Sequence, residues 1–95
     1  MIAIVGRMQV KTEKAELFER LWRELSEASG REEGCIFYQL MKSRTEPLTY
    51  RNIEVFRDQT AFDLHVQTAY LLERMAPLGE CIEGEPQVEY LDSLD

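Results

Sequence analysis

The sequence predicts an α+β domain with the element order β-α-β-β-α-β, and three observations predict it. Runs rich in β-branched and aromatic residues stand at the start, the centre and the end of the chain. Two segments between them carry apolar residues at helical spacing. Clusters of Gly, Pro and polar residues separate these stretches without forming a long linker, so residues 1–95 read as one domain. This order is the split βαβ of ferredoxin-like folds, with both helices on one face of a four-stranded antiparallel sheet.

Each element has its own warrant. Ile2 to Val10 (IAIVGRMQV) is strand-like and runs into Thr12 and Glu13, a usable cap and an acidic first turn for a helix. From Glu13 to Ser29, Phe18, Leu21, Trp22 and Leu25 form one apolar stripe that Gly30 ends. Cys35 to Met41 (CIFYQLM) reads as the second strand, and Thr45 to Leu48, with Pro47, as a hairpin turn. Thr49 to Phe56 (TYRNIEVF) is the returning strand. Asp58 can cap a second helix in which Phe62, His65, Val66 and Ala69 follow the i, i+3, i+4, i+7 rule, continued by Tyr70, Leu71 and Met75, with a bend near Gln67 and Thr68. Pro77, Gly79, Gly84 and Pro86 punctuate the approach to a last strand, Gln87 to Leu91, and Asp92 to Asp95 is a short acidic tail.

In the third strand Asn52, Glu54 and Phe56 share one face, and Arg51, Ile53 and Val55 share the other. A helix-free face carrying Ile53 and Val55 exposes a patch that monomers avoid, so a homodimer joined sheet to sheet is expected.

Charge narrows the partners. Eleven Lys and Arg against eighteen Asp and Glu give a net charge of −7, which repels phosphate backbones and anionic lipid surfaces. No nucleic-acid partner is expected, and no stretch approaches the roughly 20 apolar residues of a membrane span. The start lacks the pattern of a signal peptide, and Cys35 and Cys81 lack the spacing of a zinc or redox motif, so a cytoplasmic protein with free thiols is expected. In this topology the two cysteines should lie on strands at opposite sheet edges, too far apart to bond. One histidine without clustered cysteines gives no metal constellation, and the glycines form no nucleotide-binding loop.

The candidate chemistry gathers in the second half. His65 stands on the apolar side of the second helix and could exchange a proton near neutral pH; the commoner role of a lone histidine there is a core residue satisfied by one hydrogen bond. Glu54 is a carboxylate in an apolar strand, available to orient His65 or to bind a substrate hydroxyl; alternatively it pairs at a rim with Arg7 or Arg51. Asn52 flanks Glu54 as a further substrate-binding candidate. Trp22, Phe37, Tyr38, Tyr50, Phe56, Phe62 and Tyr70 could line a flat cavity fit for an aromatic ring, or serve only as core.

The stretch from Glu32 to Leu71, EEGCIFYQLMKSRTEPLTYRNIEVFRDQTAFDLHVQTAYL, resembles the signature of the antibiotic biosynthesis monooxygenase family. Glu33, Gly34 and Cys35 match its start, Tyr38 its strand tyrosine, Glu54 its strand glutamate, Asp58 its cap, and Ala61, Phe62 and His65 its helix. Two positions depart: Phe56 stands where a tryptophan is common, and Tyr70 where many members carry a second histidine. The resemblance implies a dimeric α+β barrel with a cavity between each sheet and its helices. It also implies a cofactor-independent monooxygenase acting on a small phenolic or quinol substrate with O2. In that reading His65 is proton acceptor or anion partner, Glu54 orients it, and Tyr38 and Tyr70 present hydroxyls to the substrate. Other branches degrade haem, using an asparagine, a tryptophan and a histidine where this chain has Gly6 or Arg7, Phe56 and Met75. Others isomerise small phosphorylated ligands, for which Arg7 and Arg51 are the available cations. A non-catalytic, stress-related binding dimer is the remaining alternative.

Overall fold

A computed structural model describes residues 1–95. Strand β1 (Ile2–Val10) leads through a 3-10 turn (Thr12–Lys14) into helix α1 (Ala15–Ser29). The hairpin strands β2 (Cys35–Lys42) and β3 (Thr49–Phe56) follow, then helices α2 (Gln59–His65) and α3 (Ala69–Cys81), and β4 (Ile82–Asp92) closes the chain. The four strands form one sheet in the order β2-β3-β1-β4, antiparallel throughout, with the helices on one side. This is the ferredoxin-like α+β arrangement, with its second helical region divided in two.

Alternation along the strands builds the core. Ile4, Met8 and Val10 of β1 and Tyr50 and Phe56 of β3 turn toward the helices, where Phe18, Leu21, Trp22 and Leu25 of α1 cover them. Arg7 sits opposite Arg51, and Val5 opposite Ile53, on the other face. There Val5, Ile53 and Val55 are only half-buried, and Phe37, Met41 and Leu91 are exposed.

Several local expectations are corrected. Thr12 does not cap α1: it lies within the 3-10 turn, and α1 starts after Lys14 without a side-chain cap. The second helical stretch breaks at Val66, Gln67 and Thr68, where the Thr68 hydroxyl donates to the His65 carbonyl at 2.8 Å. Beyond the break α3 runs through Pro77 and Gly79, and Leu78 and Cys81 are buried at its end. Tertiary packing there outweighs local helix-breaking chemistry. Cys81 therefore ends a helix rather than lying on a strand, and both cysteines are free thiols.

Strand β4 begins at Ile82, earlier than its apolar residues suggest. Its register against β1 slips between Gln9↔Glu83 and Arg7↔Gln87. The slip lets Gly84, at φ 75°, and Pro86 stand in a bulged edge strand, the setting in which a sheet tolerates both. A second irregularity between Cys35 and Phe37 sets Phe37 opposite Val55 and Tyr38 opposite Glu54. Phe37 therefore points away from the helices and is no part of an interior cavity, while Tyr38 points in.

Candidate active site

The site is built around a helix end. Asp58 caps α2 by accepting from the Ala61 amide at 2.9 Å, which fixes the start of the short helix. One turn separates Ala61 from His65, so both face the sheet, and both are buried. Gly34, in the turn before β2, packs directly on Ala61: a side chain at position 34 would collide with the Ala61 methyl. The same approach carries Glu32, two residues earlier, to the imidazole.

His65 is 2% exposed and lies between two carboxylates. Its Nδ1 is 2.9 Å from Glu32 Oε2, and its Nε2 is 3.9 Å from Glu54 Oε1. The first distance is a hydrogen bond and the second is too long to be one. Tyr70, in the first turn of α3, donates its hydroxyl to the same Oε2 of Glu32. Asn52 Nδ2 donates to Glu54 Oε2 at 2.8 Å, so Glu54 is held from its own strand. Asn52 in turn fills the space above Gly6, its neighbour across the β1–β3 pair, so a side chain there would have to displace the Asn52 side-chain oxygen.

Aromatic rings enclose the imidazole. Phe56 lies 5.0 Å and Tyr38 5.1 Å from it between ring centres, with Phe62 at 6.5 Å. Trp22 packs on the far side of Tyr38 at 5.7 Å. Phe62 also touches Phe56 at 5.6 Å and Tyr90 at 6.1 Å, so its ring stands between the His65 cluster and the surface.

Burial governs the ionisation of this cluster. Glu54 is pushed up from the ordinary carboxylate range by burial, and Glu32 adds to the shift; His65 and the Asn52 hydrogen bond oppose it. The Tyr38 hydroxyl is pushed far above its usual range, chiefly by burial and then by Glu54. Tyr70 rises to about 12 through burial and its bond to Glu32. Both phenols therefore remain protonated at neutral pH.

The sequence-derived candidates divide accordingly. His65, Glu54, Asn52, Tyr38, Phe56 and Phe62 converge. Trp22 is one ring removed and also borders a separate groove of about 380 Å3 between α1 and β2. Tyr70 reaches the cluster only through Glu32. The pairing of Glu54 with Arg7 or Arg51 does not occur: strand alternation puts both arginines on the opposite face, where Arg7 binds Glu46 at 2.8 Å. Sequence periodicity does not mark Glu32, which lies in a polar turn 33 positions from His65. No three His, Cys, Asp or Glu side chains converge as a metal-ligand set, and no helix is long and apolar enough to cross a membrane.

Two hollows adjoin the cluster. One of about 360 Å3 is lined by Ile2, Phe62, Tyr90 and Leu91 among others, outside Phe62. The other, of about 230 Å3, is lined by Glu32, Gly34, Arg57, Ala61 and Thr68 among others.

Comparison with known proteins agrees with this architecture. Residues 1–76 match the family model described as antibiotic biosynthesis monooxygenase. A conserved protein from Methanosarcina mazei Go1 superposes with a TM-score of 0.90 at 30% identity, over 95% of this chain and 89% of that one. A candidate antibiotic biosynthesis monooxygenase from Caulobacter crescentus CB15 superposes with a TM-score of 0.90 at 33% identity, over 99% and 90% of the two chains. The uncharacterized protein sll1783 of Synechocystis is 38% identical over 72 residues, 76% of this chain. The chain spans about half the length of that curated relative, 49%. With a family model covering most of its length, this chain belongs to the antibiotic biosynthesis monooxygenase family.

Proposed function

We propose that this chain is a monooxygenase that oxidises a small phenolic or quinol substrate with O2, without a cofactor, as a homodimer. The observation that carries the reading is the buried His65 with a carboxylate at each ring nitrogen, set among aromatic rings. Family membership supports the monooxygenase class; substrate and mechanism are argued from the chemistry of the site.

An electron-rich phenol needs little from a protein except removal of its proton. His65 accepts that proton, and the phenolate carbon passes electrons to O2 as a C–O bond forms. The O–O bond then breaks. One oxygen remains on the ring as a quinone carbonyl, and the other leaves as water with the two substrate hydrogens, one returned by His65. Apolar surroundings strengthen each electrostatic contact with the anion. Glu54 and Asn52 lie where they can hold a substrate hydroxyl, the neutral Tyr38 can donate toward an anion, and Phe56 and Phe62 suit the ring's faces. The hollow outside Phe62 is the natural approach.

The two carboxylates at His65 disfavour the alternative of a phosphorylated ligand, since Arg7 and Arg51 face away from them. Sheet-to-sheet pairing is supported by the half-buried Val5, Ile53 and Val55 and the exposed Phe37 and Met41 around them.

The test is oxygen uptake by the metal-stripped protein over a panel of quinols and polyphenols, beside His65→Ala and His65→Asn. Protein-dependent uptake that falls by about a hundredfold or more in both variants is expected. Uptake no faster than autoxidation, or unaffected by either substitution, would overturn the reading.

A further inference from the structure

We infer that Glu32 and Tyr70 are positioning residues that hold His65 in its Nδ1–H tautomer, making Nε2 the atom that accepts the substrate proton. The inference rests on the reading of His65 as proton acceptor, and adds which atom acts and what fixes it.

A carboxylate oxygen accepts hydrogen bonds, so the 2.9 Å contact between Glu32 Oε2 and Nδ1 favours the hydrogen on Nδ1. A neutral imidazole then carries its lone pair on Nε2, the nitrogen that faces Glu54 without a hydrogen bond. Tyr70 donates into the same Glu32 oxygen, which fixes the carboxylate in direction as well as place. Burial keeps that phenol protonated and therefore a donor.

Chain geometry makes the arrangement a clamp. Glu32 belongs to the turn before β2, His65 ends α2, and Tyr70 opens α3. The interruption at Val66, Gln67 and Thr68 lets His65 and Tyr70 reach one oxygen atom from two different helices. An unbroken helix would place positions 65 and 70 on different sides. The Thr68 hydroxyl ties the His65 carbonyl across this break, and Gly34 seated on Ala61 fixes the other side of the clamp.

His65 is the chain's one histidine, so imidazole 15N signals report it alone. In protein labelled with 15N-histidine, at a pH that keeps the ring neutral, the wild type should show one tautomer, protonated at Nδ1 and bare at Nε2. Glu32→Gln, able to donate as well as accept, should lose the single tautomer, and Tyr70→Phe should broaden or split the signals while the amide spectrum stays folded. A wild-type ring protonated at Nε2 overturns the inference. So does an unchanged tautomer in folded Glu32→Gln; should that variant not fold, unchanged signals in Tyr70→Phe overturn it. The measurement needs no substrate, so a locked tautomer without oxygen uptake defeats only the oxygenase reading. Uptake with an unchanged tautomer in the variants defeats only this inference.

Discussion

Gly34 and Ala61 touch backbone to methyl, with no room for a side chain between them, and this contact sets the distance from Glu32 to His65. Gly34→Ala must push the turn before β2 away from α2. The expected cost is about 1–3 kcal/mol, as for other overpacked sites, read as a lower denaturation midpoint at unchanged slope. The same variant should lose oxygen uptake beyond what its stability explains, because its damage falls on the His65 clamp.

Glu54 gives a pH signature. Its folded pKa is raised, so the unfolded chain releases this proton first as pH rises. Between the two pKa values the folded state holds the extra proton, and stability falls with increasing pH. Glu54→Gln removes this equilibrium and can still accept from Asn52. Thermal melts should show the variant gaining on the wild type at pH 7, with the gain closing toward pH 4. A gap that widens on acidification would contradict the assignment of burial as the dominant cause.

Gly6 offers a gentler probe of the same carboxylate. A methyl at position 6 would strike the Asn52 side-chain oxygen, the movable end of that residue, rather than backbone. Gly6→Ala should therefore fold with a stability change below about 1 kcal/mol, yet loosen the Asn52 bond to Glu54. With that bond weakened, the Glu54 titration seen by carboxyl NMR should move further upward.

The open sheet face predicts an assembly. Ile53→Glu or Val55→Asp puts a charge at the centre of the patch formed with Val5, Phe37 and Met41. Light scattering after size exclusion should show a dimer for the wild type and monomers for either variant. A wild-type monomer would remove the proposed dimer.

Much of this architecture was legible because it is written in periodicity. The alternation of Asn52, Glu54 and Phe56 against Arg51, Ile53 and Val55 identified both faces of β3, and the Phe18 to Leu25 stripe identified the face of α1. Where the reading failed, a register change or a distant contact had intervened. Phe37 and Tyr38 both read from the sequence as cavity-lining residues, but neighbours on a strand point to opposite faces, and the irregularity at Cys35 to Phe37 leaves Tyr38 as the inward one. Pro77 and Gly79 suggested a loop that the buried Leu78 and Cys81 hold as helix. At the site, helical spacing put His65 on the apolar side, but its partner Glu32 sits in a polar turn with no periodicity to mark it. The link between them is a through-space consequence of Gly34.

The bulge in β4 bears on how copies of this chain can meet. A flat outer strand offers its free amides and carbonyls to any neighbouring chain, and sheets then extend without limit into fibres. Here Gly84 at φ 75° twists the outer strand, and Pro86 withholds an amide hydrogen from it. That border is poorly suited to recruit another strand, whereas the broad apolar face is free to accept one matching face and be filled. In the proposed dimer, association would run through the sheet face rather than through this border.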